Sequence, residues 1–133
     1  MHSIKAVKCS MIYFTQPVAR ILFALFLLLT LVLALMPIQI GGGLAADKVQ
    51  HFLAFLALAL LGVIGWGRTR MVLIATALAL LGGMIEMLQS TSFVGRDAEL
   101  YDWVADLAGI VASILLTACF GPKGPSDKVP DTP

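Results

Sequence analysis

Charged side chains are scarce in this sequence, and their scarcity excludes whole classes of protein. Charged residues make up 13% of the 133 residues and hydrophobic residues 59%, whereas a typical soluble domain is about 25% charged and roughly 45–50% apolar. A soluble domain this small cannot bury so much apolar surface, because small domains bury a smaller share of their surface. The composition therefore excludes an ordinary soluble domain, and it is the opposite of that of a disordered chain.

A strong net positive charge is also lacking. The 9 lysines and arginines are opposed by 8 aspartates and glutamates, which leaves a net charge of +1. Proteins that bind nucleic acid neutralise phosphates with a clear excess of positive charge. We therefore expect no nucleic-acid partner, and we interpret the chain as one small integral membrane domain.

Long apolar runs are what the sequence does contain. A transmembrane helix needs about 20 mostly apolar residues, and the alternating pattern of barrel strands does not occur. The sequence predicts an all-α polytopic membrane protein, a bundle of four transmembrane helices over residues 18–36, 47–66, 71–89 and 102–120.

Two terminal segments flank this predicted membrane domain of residues 18–120. Residues 1–17 are expected to form a cytoplasmic N-terminal segment, and residues 121–133, with four prolines and two glycines, a disordered tail. Basic residues precede the first apolar run, as they do in a signal peptide, but its apolar core of about 16 residues is long for one. We expect a membrane anchor that is retained.

The basic residues predict the orientation in the membrane. Seven of them fall on one side of a four-helix topology: Lys5, Lys8, Arg20, Arg68, Arg70, Lys123 and Lys128. Only Lys48 and Arg96 fall on the other side. Because lysine and arginine near span ends face the cytoplasm, both termini are predicted to be cytoplasmic, and the first and third loops to face outward.

Ionisable groups inside a span cost about 2.5–3.5 kcal/mol on insertion scales, and they usually face the bundle interior. Glu86 is such a group, one turn inside the outer end of the third helix, and Gln89 shares its face at i+3. Small residues, Ala75, Ala79 and Gly82, continue this face and allow close helix approach. The pair indicates either a functional site or an interhelical hydrogen bond.

The second helix opens with Asp47, Lys48 and His51. Asp47 with Gln50 resembles a capping box, and Lys48 is also explained by snorkelling to the interface. His51 lies one turn deeper, where capping does not explain it, and a neutral imidazole there can donate, accept or ligate. Hydrogen bonding to a neighbouring helix is the structural alternative.

The fourth helix opens with Asp102, a natural N-cap, and Asp106 lies one turn deeper. Arg96 in the preceding loop is a candidate partner for these acids or for a phosphate, or else an interfacial anchor. Asp97 and Glu99 are interpreted as solvated loop charges. Three helices thus bring polar groups to one membrane depth on one side, which predicts an outward-facing polar site.

Taken together, these motifs resemble the VanZ-like family of small bacterial membrane proteins, named after a teicoplanin-resistance protein. The pattern comprises Asp47-Lys48-x-x-His51, Glu86-x-x-Gln89, Arg96 and Asp102-x-x-x-Asp106-x-x-Gly109, over about residues 47–110. One departure is visible, because many relatives carry asparagine where this chain has Asp106. The resemblance implies a bacterial inner-membrane protein with an envelope-associated role that touches glycopeptide susceptibility.

Two functions remain open at this level. The first is a binding protein for membrane lipids, a lipid-linked cell-wall precursor or a partner protein, with Asp47, Lys48, Gln89, Arg96 and Asp102 as the ligand-binding residues. The second is a membrane-embedded hydrolase or transferase for a lipid-linked substrate at the outer leaflet. His51, Glu86 and Asp106 are its catalytic candidates for acid–base work. They are also conceivable metal ligands, but no compact spacing supports that, so no metal and no cofactor are expected.

The predicted orientation has a direct test. A periplasmic reporter enzyme fused after Gly95 should be active, because that loop is predicted to face outward. The same reporter fused after Thr69 should be inactive. The reverse pattern of activities would contradict the predicted topology.

Overall fold

Four long helices make up most of the part of the chain that the structure describes. The structure is a computed structural model that describes residues 2–36, 44–91 and 99–120, with side chains described from residue 15 in the first range and from residue 45 in the second. The helices are α1 (His2–Leu35), α2 (Leu44–Trp66), α3 (Met71–Gln89) and α4 (Leu100–Phe120), with a short 3-10 turn at Arg68–Arg70 before α3. The described residues contain no strand, as the all-α prediction requires.

Each helix contains a segment long and apolar enough to cross a membrane. These segments are Thr15–Leu35, Ala45–Trp66, Arg68–Gln89 and Leu100–Phe120. The protein is therefore a multi-pass membrane protein. Because successive helices alternate in direction, α1 and α3 finish at the end of the bundle where α2 and α4 begin. We call this the polar end and the opposite one the arginine end, after Arg20, Arg68 and Arg70.

The helix bounds differ from the predicted ones at three N-termini. α1 begins at His2 and continues through Pro17, so the predicted N-terminal segment extends the first helix. α2 begins at Leu44 and α4 at Leu100, which places Asp47 and Asp102 inside the first turns. The N-cap interpretation of both was therefore wrong. The prediction of a disordered tail concerns residues outside the described ranges.

The apolar core lies around α2. Phe55, Leu58 and Ala59 of this helix are buried with Ile85 of α3 and Ile110 of α4. Lipid chains are as apolar as these side chains, so close packing, more than exclusion from water, holds such helices together. Close helix contacts therefore decide where the polar side chains can meet.

A close backbone contact joins α2 and α4 at Gly109. A Cβ atom added there would overlap the carbonyl oxygen of Phe52 and would lie 2.9 Å from the backbone nitrogen of Leu56. On α3, a Cβ atom at Gly82 would lie 2.6 Å from Oδ2 of Asp106. Glycine at these two positions lets α2 and α3 approach α4 on both sides of Asp106.

At the arginine end, one side chain joins α1 to α2. Nε of Arg20 donates a hydrogen bond of 2.8 Å to the carbonyl oxygen of Gly65. The Arg20 guanidinium carbon also lies 5.5 Å from the ring centre of Trp66, within the range of a cation–π contact. Phe23 packs edge-on against the same ring at 5.2 Å.

The contact at Gly109 yields a stability prediction. Gly109→Ala should lower the free energy of unfolding by about 1–3 kcal/mol, because α2 and α4 must separate to accommodate the methyl group. The measurement is unfolding of the purified protein by SDS titration in mixed micelles.

Gly83→Ala is the matched control, since its Cβ would lie 3.6 Å from Nε1 of Trp103, an ordinary contact. It should leave stability unchanged or raise it by about 0.5–1 kcal/mol, since glycine is a poor helix former. Equal effects of the two substitutions would contradict the close α2–α4 contact.

Candidate functional site

A histidine–aspartate pair lies at the centre of the polar end. Nδ1 of His51 on α2 is 2.9 Å from Oδ1 of Asp106 on α4. Asp106 is 0% exposed and His51 8% exposed. Asp106 lies one turn before Gly109, so the close contact of the two helices carries its carboxylate to the imidazole. A carboxylate accepts from Nδ1–H, which leaves the lone pair of the neutral ring on Nε2.

Lys48 forms the second polar contact between α2 and the start of α4. Its Nζ lies 2.6 Å from Oε2 of Glu99 and 3.5 Å from Oδ1 of Asp102. Asp102 is only 4% exposed, and Oδ1 has no hydrogen bond with any described residue. Glu99 was expected to be a solvated loop charge, and that interpretation was wrong because this residue pairs with Lys48.

Gln89 has a different role in the bundle. Its Nε2 donates a hydrogen bond of 2.9 Å to the carbonyl oxygen of Ala34, which joins α3 to the end of α1. Gln89 is buried, and in lipid such amide bonds act between helices. Its contact therefore fits the interhelical alternative, and ligand binding by Gln89 stays a prediction.

The carboxylate of Glu86, one turn before Gln89, forms no hydrogen bond with any described residue. Both carboxylate oxygens are inaccessible, and neither has a hydrogen-bond partner among the described residues. Oδ2 of Asp106 is equally buried and without a partner there. Unpaired polar atoms in an apolar bundle are costly and mark functional positions.

Acidic groups outnumber basic ones at the polar end. Its described carboxylates are Asp47, Glu86, Glu99, Asp102 and Asp106, and its one described lysine or arginine is Lys48. Arg96 and Asp97 lie outside the described residues. Buried charges of one sign need protons or cations to balance them. The polar end is therefore suited to hold a positively charged or hydrogen-bond-donating group.

A cavity of about 370 Å³ opens beside this cluster, between α1, α2 and α3. Its walls are mostly apolar, and its polar lining consists of Thr30, Asp47, Gln50 and His51. Leu29 and Leu53 line the cavity and are also exposed on the bundle surface. The cavity therefore opens sideways toward the membrane and ends at polar groups.

Three of the polar groups are close enough to share one ion. A ring nitrogen of His51 and one carboxylate oxygen each from Asp47 and Asp102 all lie within 4.8 Å of one another. Asp47 and His51 are separated by one turn of α2, and Asp102 comes from α4. Spacing along the chain does not indicate this set, because one member comes from another helix.

The structure places seven of the predicted site residues at the polar end: Asp47, Lys48, His51, Glu86, Gln89, Asp102 and Asp106. Sequence reasoning missed Glu99 and the contribution of α1 to the cavity. The signal that could have identified Glu99 was its negative charge, because Lys48 lies at the same membrane depth and needs a counter-charge. The lining by Thr30 had no signal, because one threonine in an apolar helix is ordinary.

None of three comparisons with known proteins finds a match: neither family models, nor curated proteins, nor solved structures.

The histidine–aspartate pair can be tested by a double-mutant cycle. His51→Ala, Asp106→Ala and the double variant should give a coupling energy of about 1–2 kcal/mol, since the pair is buried and bridges two helices. SDS titration of each purified variant supplies the unfolding free energies.

The control cycle pairs His51→Ala with Thr117→Val, because Thr117 donates only to the Ser113 carbonyl oxygen of its own helix. Those two effects should add to within about 0.5 kcal/mol. Additivity in the His51–Asp106 cycle as well would contradict the contact.

Proposed function

We propose that this protein binds an amphiphilic membrane molecule, with its chain in the cavity and its headgroup at the polar end. The observation that supports the proposal is the cavity itself, because it combines apolar walls with polar groups at one end. Binding sites for such ligands are concave, mainly apolar and supplied with a few polar groups that fix orientation. An envelope lipid or a lipid-linked cell-wall precursor has this chemistry.

The cavity walls suit a hydrocarbon chain. Leu29 of α1 and Leu53 of α2 lie in membrane-spanning segments and flank the opening, and Phe26 and Ala54 lie among the other lining residues. A chain that enters from the bilayer exchanges lipid contacts for protein contacts. The walls therefore select ligands by the length and shape of their hydrocarbon chain. The polar end supplies most of the discrimination between headgroups.

The polar end favours a headgroup that donates hydrogen bonds. Asp47 and Gln50 lie at the cavity lining with His51, and the surrounding cluster has more carboxylates than cations. Hydroxyl and amine groups donate to carboxylates, whereas a bare phosphate is repelled by them. A sugar-bearing or amine-bearing amphiphile is the headgroup class that we propose.

We propose further that the chain is a VanZ-like protein of the bacterial inner membrane, with both termini in the cytoplasm and an envelope role that affects glycopeptide susceptibility. Support comes from the sequence motifs around Asp47, Glu86 and Asp102 and from the seven-to-two distribution of basic residues. A headgroup site on the outward side agrees with such a role, since cell-wall precursors are used there.

The His51–Asp106 pair favours a second candidate function. An imidazole oriented by a carboxylate is a general base, so a membrane-embedded hydrolase or transferase for the same class of ligand is the alternative. Labelled lipid-linked precursor in vesicles separates the two functions. Turnover by the wild type that is lost in His51→Ala and Glu86→Gln, with binding retained, would establish the enzyme. Binding without wild-type turnover would refute it.

Filling the cavity should abolish binding. Leu53→Trp places a large ring in the cavity, and it should reduce labelling by a photoactivatable alkyl glycoside in nanodiscs by about tenfold or more, equivalent to about 1.4 kcal/mol of binding energy. The measurement is crosslinked protein against probe concentration, read by mass spectrometry.

Leu73→Trp is the matched control, because Leu73 is an exposed membrane-facing leucine of α3 and is not among the cavity-lining residues. It should leave labelling unchanged. Equal labelling of the wild type and both variants would refute binding in the cavity.

A further inference from the structure

We propose that Asp47, His51 and Asp102 bind one divalent transition-metal ion at the polar end. This site goes beyond binding of an amphiphile in the cavity and does not depend on it. The proposal starts from the donor atoms of these residues, which lie within 4.8 Å of one another. Bonds of about 2.0–2.2 Å hold two tetrahedral donors about 3.4 Å apart, so the three side chains would have to move slightly closer together around the ion.

The burial of the Asp102 carboxylate supports the site independently of the spacing. Asp102 is 4% exposed, and its Oδ1 makes no hydrogen bond to any described residue. Lys48 Nζ lies 3.5 Å from this oxygen but is held at 2.6 Å by Glu99. The lysine thus leaves Asp102 only partly compensated, and a cation beside Oδ1 would complete the compensation.

The hydrogen bond of His51 leaves one of its ring nitrogens free to bind a metal. Its Nδ1 is hydrogen-bonded to the fully buried Asp106, so Nε2 keeps its lone pair. Histidines that ligate metals commonly donate their other ring N–H to a carboxylate, which fixes the tautomer and raises the basicity of the ligating nitrogen. Asp106 is therefore a positioning residue for His51.

The donor set selects the class of ion. Two carboxylates and one imidazole suit Zn²⁺, Mn²⁺ or Fe²⁺, whereas Mg²⁺ and Ca²⁺ prefer oxygen donors alone. Three protein ligands leave at least one coordination position for water or a ligand group. The ion would also offset part of the carboxylate excess at the polar end.

The test uses the full-length protein in nanodiscs with Zn²⁺ and Co²⁺ salts as probes. The wild type should bind one Zn²⁺ per chain after dialysis, and Co²⁺ should show the visible absorption of a low-coordinate site. Asp102→Asn and His51→Ala should each weaken Zn²⁺ binding by more than about 100-fold. Asp106→Asn should weaken it by about 10–100-fold with an unchanged Co²⁺ spectrum.

Two further variants keep the result interpretable if a substitution disturbs folding. His51→Cys should retain Co²⁺ and gain a thiolate-to-cobalt charge-transfer band, which arises only if residue 51 is a ligand. Lys48→Met should tighten Zn²⁺ binding, because the ammonium competes for Asp102. Glu86→Gln is the matched control, because Glu86 is an acid of the same cluster with inaccessible carboxylate oxygens and lies outside the donor set, and it should change the affinity by less than about tenfold.

Several outcomes would overturn the site: no Zn²⁺ on the wild type, binding unaffected by Asp102→Asn and His51→Ala, or a His51→Cys protein that binds Co²⁺ without the charge-transfer band. Photolabelling by the alkyl glycoside without any metal binding would refute the metal site and leave amphiphile binding intact. Metal binding without labelling would do the reverse.

Discussion

The close approach of α2 and α4 at Gly109 is the constraint on which the polar end depends. Two helices whose backbones touch have their neighbouring side chains fixed in register, so Asp106, one turn from the contact, meets His51 at 2.9 Å. The same approach brings Asp102 to Lys48. Any side chain larger than glycine at position 109 would move all of these groups together, because each pair joins the same two helices.

The excess of carboxylates gives the polar end its chemical character. A buried acid is tolerated when it is protonated, paired or bound to a cation. Among the described lysines and arginines, only Lys48 lies near the carboxylates of the polar end. Both proposals, the donor-rich headgroup and the metal ion, supply the missing positive character. The two proposals share Asp47 and His51, which belong both to the cavity lining and to the metal donor set.

The sequence predicted the helices well and the site in part. Apolar runs identify spans because the bilayer fixes their length, so the bounds of α3 agree with the prediction. Acids inside spans are rare enough that Glu86 and Asp106 stood out without a structure. The metal donor set and the pairing of Glu99 were not predictable, because they depend on which faces of α2 and α4 meet. That choice is made at Gly109, and the sequence does not show that this glycine meets the backbone of α2 at Phe52 and Leu56.

The sideways opening of the cavity, between Leu29 and Leu53, determines which concentration governs its occupancy. For a ligand that reaches the site through the bilayer, the relevant concentration is its mole fraction in one leaflet. Adding water to the sample therefore changes the occupancy of the site little. Competition then comes from every other amphiphile in that leaflet. Occupancy becomes a measure of membrane composition, and a change in the lipid mixture alone would empty or fill the site.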